Sequence, residues 1–155
     1  MDLDDIFKTL LTSDGKSRAS WILLRSGLLD KDDLEFCPEE PIVEESRISE
    51  DELNIFDTIE TMLFYDEFDR AYTLAMNAVR ELMNKGRFES ALYVCQMIGD
   101  DILRREILKT GLRYYESRGD FKRATNFAEM LGDIERAKVY KYLYNLYCQI
   151  VGSKP

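Results

Sequence analysis

Gly86-Arg87-Phe88-Glu89-Ser90-Ala91 returns 33 residues later as Gly119-Asp120-Phe121-Lys122-Arg123-Ala124. Met97-Ile98-Gly99-Asp100 returns in the same register as Met130-Leu131-Gly132-Asp133, and Arg80 and Lys85 align with Arg113 and Arg118. A fixed period of this length predicts stacked helix pairs, because one helical hairpin cannot bury its apolar face alone and needs its neighbour. The echo constrains architecture. It names no substrate, cofactor or partner.

The apolar spacing fills in the helices. Leu53, Ile55, Phe56, Ile59, Met62 and Leu63 predict a helix over 51–64, with Ser49 as cap and Glu52 completing a capping box. Phe68, Ala71, Tyr72, Leu74, Ala75, Ala78, Val79, Leu82 and Met83 predict a long helix over 67–85. Helices over 87–98, 101–118, 120–131 and 134–150 follow, each after the first separated by a glycine or a Gly-Asp turn. Glycine after a helix suits a left-handed C-terminal cap, where other residues meet a steric penalty. Turns this short force neighbouring helices to lie antiparallel.

Upstream, Leu3, Ile6, Phe7, Leu10 and Leu11 predict a helix over 2–12, and Ala19 to Leu29 a second over 16–29, with Ser13-Asp14-Gly15 as the break. Trp21 reads as a core anchor packing these two helices on the repeats, or as a partner-binding aromatic. Asp30 to Asp51 holds ten acids, two bases and prolines at 38 and 41. Proline lacks the amide donor and disfavours helix before it, so an extended linker is expected. It is either a solvated connection or an acidic segment that binds a basic surface in cis or in trans. The organisation is thus an N-terminal helical hairpin (1–29), a linker (30–50) and a helical repeat domain (51–155), all-α throughout. The hairpin is expected to pack near 51–64.

Composition narrows the chemistry. At 155 residues, 45% hydrophobic and 33% charged, the chain is long enough for a core and is not of disordered composition. No apolar run is long enough to span a bilayer, and the acidic start is unlike a secretory signal, so a cytoplasmic protein with no membrane partner is expected. There is no histidine, and Cys37, Cys95 and Cys148 are scattered. That pattern argues against a zinc site and against histidine-dependent nucleophiles, and no glycine-rich phosphate loop or calcium loop is present. Cys95 reads as a buried small hydrophobe. No cofactor and no enzyme activity are expected. The net charge of −9 argues against nucleic acid, whose affinity rests on neutralised phosphates. Residues 1–99 carry 22 acids and 10 bases, and 100–155 carry 8 and 11.

Phe88-x-x-Ala91 and Phe121-x-x-Ala124 recur just after a glycine. The aromatic can wedge back on the preceding helix, near Leu82 or Tyr115, and the small alanine allows close approach. This unit resembles the helix–turn–helix of tetratricopeptide-like repeats over about residues 51–150. Its Met-Ile-Gly-Asp and Met-Leu-Gly-Asp tails are also similar to the helical repeats of clathrin and coat-type proteins. Tyr65-Asp66-Glu67-Phe68-Asp69-Arg70-Ala71 carries Phe-x-x-Ala without the glycine. The resemblance implies a short right-handed superhelix that holds a protein partner.

Two candidate surfaces emerge. Arg105, Lys109 and Arg113 fall four apart, in one row on a helix. With Tyr72, Arg80 and Tyr114 they are the expected partner-binding residues, for a peptide or helix in a groove lined by the first helix of each pair. An ordinary solvated face is the plainer reading. The last helix is apolar nearly all round, with Tyr140, Leu143, Tyr144 and Tyr147. A terminal repeat helix needs a polar outer face, so these four are expected to self-associate as a homodimer unless the hairpin covers them. The function expected is an adaptor, with a small acidic chaperone for a secreted or assembling client as the alternative.

Overall fold

The computed structural model describes residues 1–45 and 47–152. Among these there are eight α-helices and no strand. They are α1 (Leu3–Thr9), α2 (Ser13–Arg25), α3 (Glu50–Phe64), α4 (Phe68–Asn84), α5 (Phe88–Ile98), α6 (Asp101–Arg118), α7 (Phe121–Leu131) and α8 (Ile134–Val151). A single 3₁₀ turn, Lys31–Asp33, interrupts the segment between α2 and α3. No described helix is long and apolar enough to cross a membrane.

The 33-residue echo is a repeat of backbone turns. Left-handed φ occurs at Asp66 (58°), Gly99 (66°) and Gly132 (78°), and again at Gly86 (73°), Gly119 (75°) and Gly152 (72°). Each of these two series advances by 33. At four of the turns the same pair of bonds closes the helix: Asp66 N–H to Leu63 and Glu67 N–H to Met62, Gly86 to Met83 and Arg87 to Leu82, Gly119 to Glu116 and Asp120 to Tyr115, Gly132 to Glu129 and Asp133 to Ala128. That is the Schellman arrangement, which satisfies carbonyls a helix end would leave bare. Asp66 takes the left-handed conformation where the corresponding turns use glycine.

The register explains one exception to the aromatic wedge. Phe88 and Phe121 are buried, as are Leu82 and Tyr115, which were expected to receive them. Phe68 is exposed. Its turn belongs to the other series: Phe68 aligns with Asp101 and Ile134, not with Phe88 and Phe121. The Phe-x-x-Ala at 68–71 therefore resembles the motif in letters only, and its side chain points to solvent.

The described contacts divide into two compact units, residues 45–111 and Met1–Glu44 together with the chain from Leu112 onward. The border falls inside α6 and at 44/45.

In the 45–111 unit, α4 packs on both α3 and α5. Ala71, Ala75, Ala78, Val79 and Leu82 form the buried stripe of α4, and the three alanines let its neighbours approach closely. Ser49 caps α3 as expected, accepting from the Glu52 amide at 3.2 Å. The Glu52 carboxylate is committed elsewhere: it is buried, accepts from Arg87 Nε at 2.7 Å, and takes the Ser90 hydroxyl. Burial alone would raise its pKa. The Arg87 and Ser90 hydrogen bonds and the Arg87 charge outweigh that and hold it below the usual carboxylate value.

In the other unit, α7 packs on α8, and α1 and α2 also pack on α8. The expected place for the hairpin is thus corrected. It belongs with α8, while α3 belongs to the other unit. Trp21 lies 6.5 Å from the Tyr147 ring, beneath the Arg25 guanidinium. The expected break at Ser13-Asp14-Gly15 is also corrected. These residues open α2, with Thr12 as cap accepting from Gly15 N at 2.8 Å.

Candidate functional site

α8 was the expected self-association surface, and part of it is engaged within its own unit. Tyr140 and Leu143 have no exposed surface, and Tyr144 and Tyr147 are half-buried. Tyr140 stacks on Phe121 at 5.9 Å, and its hydroxyl donates to Glu116 Oε2. Glu116 is itself fully buried. Its other oxygen accepts from the backbone amides of Leu11 and Thr12, both at 2.6 Å. One carboxylate therefore ties the α1–α2 turn to α8. Burial first, and then the Glu116 charge, push the Tyr140 phenol far above its ordinary pKa.

Gly15 makes this approach feasible. A Cβ there would sit 2.6 Å from Glu116 Oε1 and 2.7 Å from its Cγ. A second copy on α8 would not reach Tyr140 or Leu143, which have no exposed surface. Sequence reasoning passed over Glu116. The available signal was an acid placed four residues after Leu112, on the buried stripe of α6.

The acidic linker is also partly engaged in the same unit. Arg18 pairs with Glu39 at 3.0 Å and donates to the Glu40 carbonyl. Arg118 pairs with Glu44, and Arg123 Nη1 donates to the Glu44 carbonyl at 3.1 Å. The Ile42 amide donates to the Arg118 carbonyl at 2.7 Å, and Pro41 is buried against Gly119. The acids at 39 and 44 thus meet basic groups in cis, through arginines outside the expected row.

The expected partner-binding residues are divided between the units. Tyr72, Arg80, Arg105 and Lys109 lie in 45–111, and Arg113 and Tyr114 in the other. Arg80, Arg105, Lys109 and Arg113 are exposed. Tyr114 is half-buried, with the Arg118 guanidinium 5.1 Å above its ring. Cys95 is buried as expected, its thiol donating to the Asp100 carbonyl at 3.1 Å. Burial is the first cause of its raised pKa.

The exposed chemistry gathers instead at the α3–α4 corner of the 45–111 unit. Phe64 is 80% exposed, Tyr65 69%, Phe68 59% and Tyr72 46%. The Phe64 and Tyr65 rings meet edge to face at 5.2 Å. Phe68 and Tyr72 stand one turn apart on α4, and the Tyr72 hydroxyl donates to Asp100 at 3.3 Å. Beside them α4 forms an open depression of about 390 Å³ lined by Met62, Asp69, Arg70, Thr73, Leu74 and Asn77. Four large aromatics exposed within nine residues are the kind of patch that marks a contact surface, since aromatic anchors dominate binding energy. Of this corner, the sequence singled out Tyr72 as a contact residue; Phe68 stood out only as an apolar helix position in a Phe-x-x-Ala without the glycine.

No protein-family model matches this chain, and neither a curated protein nor a solved structure matches it.

Proposed function

We propose that this protein is a non-enzymatic interaction module, an adaptor whose helix pairs stack as a short right-handed tetratricopeptide-like superhelix and hold a peptide or helix of a protein partner. The observation that supports the reading is the exposed aromatic corner of α3 and α4 beside the open depression on α4. Association stabilises when such apolar surface leaves water, at roughly 25 cal/mol per Å² before ordering costs. The depression has an apolar floor in Met62 and Leu74 and polar groups in Thr73 and Asn77 able to meet a peptide backbone. Arg105, Lys109 and Arg113 remain the proposed second contact row.

The test is co-purification of a defined partner with the full chain from its native cell. Tyr72→Ser with Leu74→Ser is expected to reduce recovery of that partner by more than tenfold while helical content is retained. Arg105→Glu with Arg113→Glu tests the row separately; unchanged recovery removes those residues from the interface. Equal recovery by every variant removes the interaction reading at both surfaces. The same exposed corner also suits the small acidic chaperone. That reading predicts a client that is insoluble alone and soluble on co-expression, whereas an adaptor binds a partner already folded.

A further inference from the structure

The α3–α4 corner carries a charge pattern as well as an apolar surface. Residues 57–72 contain five acids and one base, Arg70. Asp57 and Glu60 precede the aromatics on α3, Asp66 and Glu67 lie in the turn, and Asp69 follows on α4. Tyr72 brings Asp100 to the same edge, and with it Asp101 and Ile102, the latter 81% exposed. Arg70 is already paired with Glu67 at 3.2 Å. Acids thus flank the apolar centre on both sides of the α3–α4 turn, and Arg70, the base among these residues, is engaged with one of them.

We infer that this corner receives a cationic amphipathic helix of a partner protein, with large apolar side chains seated on Phe64, Tyr65 and Phe68 and Lys or Arg directed to Asp66, Asp69 and Asp101. This rests on the interaction-module reading and names the partner's chemistry. Three arguments lead there. Apolar anchors are required, because charge alone leaves four aromatic faces in water. Positive flanks are required, because an acidic segment would set like charges against the ring, and Lys or Arg over Phe64 or Tyr65 adds a cation–π contact. A second copy docked symmetrically through this corner is disfavoured, because a two-fold interface sets the same patch against itself, acid ring to acid ring. The same acids repel nucleic acid and anionic lipid surfaces.

The experiment titrates the full chain with a labelled peptide of about 18 residues, five helical turns of Leu and Lys in amphipathic spacing. Two control peptides replace every Lys by Glu or every Leu by Ser. The Leu–Lys peptide is expected to bind at least tenfold more tightly than either control. Phe64→Ser with Phe68→Ser is expected to weaken it about tenfold with unchanged helical content. Asp66→Lys with Asp69→Lys is expected to weaken it at about 0.1 M salt and much less at about 1 M, where charges are screened beyond about 3 Å. The Ser–Lys peptide binding as tightly as Leu–Lys overturns the inference, because attraction to net negative charge then suffices. So does unchanged binding by the aromatic variant, or a wild-type dimer that this variant dissociates. If the aromatic variant loses a co-purified partner while wild type shows no preference for the cationic peptide, the interaction reading stands and the cationic assignment falls.

Discussion

Two apolar surfaces of this protein meet opposite fates. α8 is rich in tyrosine and aliphatic residues on nearly every side; α7 and the hairpin of α1 and α2 pack on it, and Tyr140 and Leu143 have no exposed surface. The α3–α4 corner is shorter and more acidic, yet it keeps Phe64, Tyr65 and Phe68 largely in water. The difference lies in polar specificity. The cover on α8 is held in register by one buried carboxylate that satisfies two backbone amides and a phenol. Within the 45–111 unit the comparable buried carboxylate, Glu52, is spent at the other end of α3, on Arg87 and Ser90. Among the described residues, no buried carboxylate is placed at the corner. An apolar stripe states a need for cover, and polar groups at its margin select what supplies it.

The comparison breaks most readily at Glu116. Glu116→Ala strands the Leu11 and Thr12 amides and the Tyr140 hydroxyl, at about 1–3 kcal/mol for each buried group left unpaired. A loss of at least about 3 kcal/mol is expected in urea unfolding, with the hairpin becoming sensitive to protease. By contrast, Phe64→Ser with Phe68→Ser should change stability by about 0.5 kcal/mol or less per site, as exposed substitutions do. Equal losses would show that the corner is structural and not a contact surface.

Gly119 and Gly132 sharpen the contrast at the level of single atoms. Both have left-handed φ, so alanine at either costs about 1–2 kcal/mol in backbone strain. At Gly132 a Cβ meets nothing within 4 Å. At Gly119 it would lie 2.8 Å from Arg18 Cβ and 2.9 Å from Pro41 Cβ. Gly119→Ala should therefore cost about 1–3 kcal/mol more than Gly132→Ala, the overpacking penalty. Similar losses for both would mean that the linker does not hold its place against α2 in solution.

The last effect is alkaline. The Tyr140 pKa is raised in the folded chain from an unfolded value of about 10. Below about pH 10 its contribution is fully present. Above that the unfolded chain binds fewer protons than the folded one, so stability falls by about 1.4 kcal/mol per pH unit until the folded pKa is reached. Tyr140→Phe should remove that slope between about pH 10 and 11. A slope unchanged by the substitution would place the buried phenol elsewhere.

The sequence by itself determined the helices of the repeat region and their turns. Glycine tolerates left-handed φ, apolar periodicity is local, and a 33-residue echo in both makes the element borders readable between 86 and 152. Ser49 could be read as a cap because its partner is three residues away. The tertiary structure decided what local rules cannot. After the Leu10 cap of α1, a carboxylate more than a hundred residues away takes the Leu11 and Thr12 amides, and Gly15 in the first turn of α2 leaves it room. Phe68 faces water although Phe88 and Phe121 do not, because the fate of an aromatic depends on which helix lies across the turn. Burial is a property of pairs of segments, and a single chain read from one end shows each segment without its pair.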